Sequence, residues 1–249
     1  NAAATRTHNR NISSGPDDWT RQMPWRAPGS APVLGSGCGV AGGAMVFNNN
    51  GGWPPTNMTQ GFDAALLPES DSPIVWAPNS TVEVSWGVWA NHGGGYSYRL
   101  CPKSEEISEE CFQRMPLQFA SANGGPQWLQ NLNGTRVEIP IVKLSEGTFP
   151  AGSEWIRMPF PGCATGGNPP GHGFFDQCTE FLFPEPLPGL HGFGYTNDSK
   201  IGCAFHDWSI VDQVVIPEDA PEGDYWLSWR WDCEQTTQVP ATFSNIIDF

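Results

Sequence analysis

Twenty-nine glycines and 24 prolines interrupt the 249 residues of this chain every few positions. Proline removes a helix hydrogen bond and clashes with the preceding turn, and glycine weakens the helix interior, so few stretches can hold an ordinary helix. Strands fit the gaps. In residues 81–89, Val82, Val84, Trp86 and Val88 fall on one face, and Glu83, Ser85 and Gly87 on the other. Tyr96, Tyr98 and Leu100 continue the pattern after a glycine-rich corner. Residues 210–216 and 225–231 repeat it, with Tyr225, Leu227, Trp229 and Trp231 expected in the core. The proline-punctuated acidic stretch 217–224 between them suits a hairpin connection. Strands of this length between turn clusters indicate an all-β, antiparallel β-sandwich.

Charge and cysteine usage restrict the setting. Acids outnumber bases 26 to 12, giving a net charge of −14, which a polyanionic nucleic acid would repel. No run approaches the roughly 18 apolar residues of a membrane-crossing helix, so no membrane span is expected. No charged-then-apolar segment opens the chain, and any secretory leader would precede Asn1. Asn11, Asn57, Asn79, Asn133 and Asn197 each begin an N-x-Ser/Thr acceptor sequon. Seven cysteines (Cys38, Cys101, Cys111, Cys163, Cys178, Cys203, Cys233) lack the spacing of a zinc site and read as disulfide formers. The odd count leaves a thiol that is either buried and free or bonded to another chain. The loop between Cys101 and Cys111 is short enough to be closed by its own disulfide. A secreted, N-glycosylated protein follows as the expectation.

Residues 1–36, rich in Asn, Thr, Arg, Ser, Gly and Pro, read as an extended N-terminal arm, docked on its own domain or on a neighbouring subunit. Residues 37–249 read as a single sandwich domain, with a long loop insertion at about 143–200 pinned by cysteines.

Several motifs carry a resemblance: PWRAPG at 24–29, GCGVAGG at 37–43, NHGGGYSYRLCP at 91–102 and WRWDCEQ at 229–235. With the alternating segments 81–102, 210–217 and 223–249, they are similar to the lytic polysaccharide monooxygenase and chitin-binding sandwich family. The resemblance implies an immunoglobulin-like (fibronectin-like) sandwich. It also implies a copper ion held by the amino group and imidazole of an N-terminal histidine, a second histidine and a nearby axial aromatic. His92 matches the second histidine and Phe243 the axial aromatic. Asn1 stands about ten residues into a typical member, and the first histidine is not in this sequence. His8 is internal and could supply only its side chain.

Other chemistry has little support. Glu105, Glu106, Glu109 and Glu110 lie in the 101–111 loop and are expected as a solvated face, and Glu218, Asp219, Glu222 and Asp224 lie in the acidic turn. Asp232 is expected to pair with Arg230 or Arg99. Serine-hydrolase elbows, phosphate loops and zinc-protease motifs are absent from the sequence. Of the 12 tryptophans, Trp86, Trp229 and Trp231 read as core, whereas Trp53, Trp89 and Trp128 sit in turn-rich settings as candidate sugar-stacking platforms. Three functions follow as expectations. The leading one is a self-assembling structural glycoprotein, a filament or coat subunit that polymerises through its arm and needs no cofactor beyond covalent N-glycans. The second is a copper-dependent polysaccharide monooxygenase, and the third a non-catalytic chitin- or cellulose-binding module.

Overall fold

The computed structural model describes residues 28–29, 33, 35–41, 57–59, 61–69, 74–87, 94–120, 126–159, 184, 186–187 and 208–232. His92, Phe243, Trp53, Trp89, Asn11 and Asn197, like most of the arm, lie outside the described residues.

Two antiparallel sheets account for the body. The first contains β1 (Thr81–Trp86), β8 (Trp208–Val215), β4 (Gln127–Asn131) and β5 (Arg136–Ile139) in that order, with β3 (Gln118–Phe119) also on β8. The second runs β6 (Lys143–Leu144), β7 (Trp155–Arg157), β2 (Gly95–Pro102) and β9 (Tyr225–Asp232). Their facing sides fill one core. Val84, Trp86, Leu129, Ile210 and Val214 come from the first sheet and Tyr96, Tyr98, Leu100, Ile156, Trp229 and Trp231 from the second. The alternation at 81–86, 95–102, 210–215 and 225–231 thus marks the faces that meet.

Three expectations change. Residues 217–224 do not close a hairpin, because β8 pairs with β1 and β4 while β9 pairs with β2. Both strands present apolar faces, and these faces oppose each other across the core rather than lie side by side. The connection therefore passes from one sheet to the other. Second, the 101–111 loop runs into a short helix, α1 (Glu109–Arg114). Ser108 Oγ caps it by accepting from the Cys111 amide, Glu109 and Glu110 occupy its first turn, and Arg114 its last. Third, the stretch expected as long loops from about 143 opens with β6 and β7, and β7 packs against β2. Trp155 and Ile156 are buried on its two faces.

The predicted Cys101–Cys111 disulfide is present, buried with Phe112 against Cys38, Ile107 and Trp226. It ties the start of α1 to the end of β2. Cys38 is half-buried with a free thiol. Burial and the nearby Asp63 carboxylate push that thiol up to about 11, which favours its protonated form at neutral pH.

Candidate functional site

Two buried polar clusters and one gathering of chain exits define what the body can do. The first cluster lies inside the core. Asp212 stands on β8 between Ile210 and Val214, opposite Val84, with 1% of its surface exposed. Its carboxylate accepts from Trp86 Nε1 at 3.0 Å, Tyr96 Oη at 3.1 Å, Tyr98 Oη at 2.8 Å and the Gln127 amide. The Gln127 amide also donates to Tyr96 Oη. Each of these donors is neutral. Burial therefore outweighs the hydrogen bonds and raises the Asp212 acid to about 6. The same burial and the adjacent carboxylate drive Tyr96 and Tyr98 well above the usual phenol range, so both remain protonated donors.

The second cluster covers the outer face of β2 and β9. Arg99 Nη1 and Arg230 Nη1 both donate to Glu109 Oε1, at 2.6 and 2.7 Å, and Arg230 Nε donates to Asp232 Oδ1 at 2.8 Å. Arg99 also reaches Ser228 Oγ and the Gly37 carbonyl. Glu109, expected in a solvated acidic face, is thus buried: α1 turns it inward against two arginines while Glu105, Glu106 and Glu110 stay exposed. The arginines hold the Glu109 carboxyl below its ordinary range in spite of its burial. Asp232 pairs with Arg230, as the alternation predicts.

This cluster also fastens the chain ahead of the domain. The Gly29 amide donates to Asp232 Oδ2 at 2.7 Å, and the Phe149 amide donates to the Pro28 carbonyl at 2.7 Å. Gly29 has φ +87°, and a Cβ there would meet the Phe149 carbonyl oxygen at 1.8 Å, so only glycine fits. Gly37, at φ +86°, lies so close to α1 that a Cβ would come within 2.9 Å of the Phe112 ring.

Asp232 consequently marks a junction. It pairs with Gly95 across the β2–β9 ladder and holds Gly29, while the Met158 amide donates to the Gly94 carbonyl at 2.8 Å. Trp86, at the end of β1, packs against Tyr96 with ring centres 4.7 Å apart. Described residues that border the segment carrying His92, the segment carrying Phe243 and the chain ahead of Pro28, namely Gly95, Asp232 and Gly29, therefore meet at Asp232. Among the described residues no three His, Cys, Asp or Glu side chains stand close enough to hold a metal ion.

Trp128 lies on the outer face of the first sheet, half-buried. The Arg136 guanidinium sits over its ring, 5.5 Å from the centroid, and is held there by Glu83 through two bonds of 2.7 and 2.9 Å and by Gln130 at 2.7 Å. A sugar stacking on that face of the indole would have to displace the guanidinium. The described sequon residues Asn57, Asn79 and Asn133 are all exposed. Set against protein-family models, curated proteins and solved structures, the chain matches none of them.

Sequence reasoning missed Asp212 and the role of Glu109. The signal for Asp212 was available: Ile210, Asp212 and Val214 share one strand face, so an inward carboxylate follows once that face is assigned to the core. For Glu109 no comparable signal exists, because its burial depends on where α1 docks.

Proposed function

We propose that this chain is a secreted, N-glycosylated protein with an immunoglobulin-like sandwich that engages an extracellular polysaccharide. Its working end is the one gathered at Asp232. The single observation behind this reading is that Asp232 joins Gly95 and Gly29. Gly29, Gly95 and Asp232 border motifs that carry the resemblance, and this meeting of their described ends supports the reading. The exposed sequons and the buried disulfide support the extracellular part. Binding is read by depletion of the full chain from solution over insoluble chitin or cellulose, with Trp89→Ala as the variant expected to weaken it.

A second reading, oxidative cleavage of that polysaccharide with copper at His92, draws on the same convergence. Titration of the protein with Cu(II), followed by electron paramagnetic resonance, tests it; His92→Ala should abolish a nitrogen-ligated signal. Self-assembly through the arm is a separate proposal. Because Pro28 and Gly29 are tied to the chain's own second sheet, an exchanged arm would draw on residues 1–27. A monomer by light scattering at micromolar concentration would end it.

A further inference from the structure

The hairpin of β4 and β5 ends in the sequon Asn133-Gly134-Thr135, the whole of which lies in the turn and is exposed. Its geometry is specific. Asn133 Oδ1 accepts from both the Thr135 amide, at 3.0 Å, and Thr135 Oγ1, at 2.7 Å, while Asn131 Nδ2 donates to Thr135 Oγ1 at 3.0 Å. The Gly134 amide donates to the Asn131 carbonyl, with Gly134 at φ +82°. The turn is therefore stitched through the oxygen of the Asn133 carboxamide. Its nitrogen, the atom that takes the sugar, makes no hydrogen bond among the described residues. A glycan can be added there without breaking any contact that shapes the turn. Asn79 differs: it sits at φ +58°, and the Thr81 of its sequon is already in β1, paired with Val215.

The strand beside this turn, β5, is the last of its sheet among the described residues. Among the described residues β5 pairs only with β4, leaving its far edge unpartnered. Open edges recruit strands from other molecules unless charges, prolines or bulges guard them. Arg136, the basic residue at the head of β5, is drawn back across the sheet face by Glu83 and Gln130. Leu132 is 77% exposed and Val137 is 41% exposed, so two apolar side chains stand among the exposed Arg136 and Glu138 of the hairpin.

We propose that Asn133 is the sequon this domain keeps glycosylated, and that its glycan guards the β5 edge against pairing with a second copy of the chain. The proposal rests on the secretory part of the reading above. In the modification, a C–N bond forms between Asn133 Nδ2 and the anomeric carbon of a sugar on a lipid-linked pyrophosphate donor. The sugar's bond to the pyrophosphate oxygen breaks, and the amide proton leaves with the pyrophosphate. Oδ1 keeps both of its hydrogen bonds.

The test is expression of the full chain in a secretory eukaryotic host, peptide mapping of each sequon, and light scattering over a concentration series. Asn133 should be occupied, and the wild-type weight-average mass should be lower than that of Asn133→Gln or of wild type trimmed by endoglycosidase in the folded state. Those two species should associate to dimers or larger as concentration rises. The trimmed sample keeps the native turn, so it answers even where the variant folds poorly. Glycans on Asn57 or Asn79 with Asn133 bare would overturn this inference while leaving the secretory reading in place. Sugar-free peptides at every sequon would overturn both. An occupied Asn133 whose trimming leaves the mass unchanged at all concentrations would overturn the edge-guard role.

Discussion

Asp212 and Glu109 are both buried carboxylates on or beside the central strands, yet their surroundings move them in opposite directions. Asp212 meets two phenols, an indole and an amide, all neutral, and its acid is raised to about 6. Glu109 meets two arginines and is lowered. Hydrogen bonds from neutral groups do not make up for lost hydration of a charge, whereas close opposite charge does. The core between the sheets thus contains an acid that would rather be neutral. The outer face of the second sheet contains one that stays ionised and uses that charge, with Arg230 and Asp232, to hold the N-terminal segment.

The largest effect that would break this contrast is Arg230→Ala. It removes a partner from both Glu109 and Asp232 and leaves buried charge uncompensated, at a cost of about 3–5 kcal/mol. Urea denaturation should show this as a lower midpoint, accompanied by protease sensitivity around residues 28–38.

Next in size is the pH dependence. A carboxyl whose folded pKa is raised favours the folded state when protonated. The Asp212 contribution is therefore fully present below about pH 4, is lost as pH rises to about 6, and is constant above that. The change amounts to roughly 3 kcal/mol at most. Glu109 acts oppositely, since its lowered acid contributes stability that is present above the ordinary carboxylate range and lost as pH falls through its folded value. Denaturation midpoints followed from pH 3 to 8 should fall between pH 4 and 6, and Asp212→Asn should flatten that fall while leaving the low-pH loss intact.

Tyr98→Phe sharpens the comparison further. It deletes the 2.8 Å donor to Asp212 and should cost about 1.5–3 kcal/mol at neutral pH. It should also push the Asp212 transition to higher pH, a shift that simple loss of packing would not produce. At the small end, Glu83→Gln breaks the exposed pair with Arg136 and should leave the denaturation midpoint unchanged within measurement.

Much of this body was legible in the sequence for a physical reason. Residues 81–86, 95–102, 210–215 and 225–231 alternate because each has one face in the shared core. The same alternation correctly placed Trp86, Trp229 and Trp231 inside and Asp232 beside Arg230. It does not say which strand lies next to which, and so residues 217–224 looked like a hairpin when they pass between sheets. Helix α1 was hidden because its six residues make fewer than two helical turns, too few to show a repeating apolar face, and its capping serine lies in a stretch that composition marks as loop. The convergence at Asp232 was illegible for the same reason as Glu109: it joins Gly29, Gly95 and Asp232, which are far apart in sequence and brought together only by strand pairing.

The most direct test of the account is retention of the glycosylated full chain on insoluble polysaccharide. The protein should be depleted from solution by chitin or cellulose in a saturable manner, with Trp89→Ala depleted less. Full recovery in the supernatant over every polysaccharide tried, with the fold intact, would contradict it.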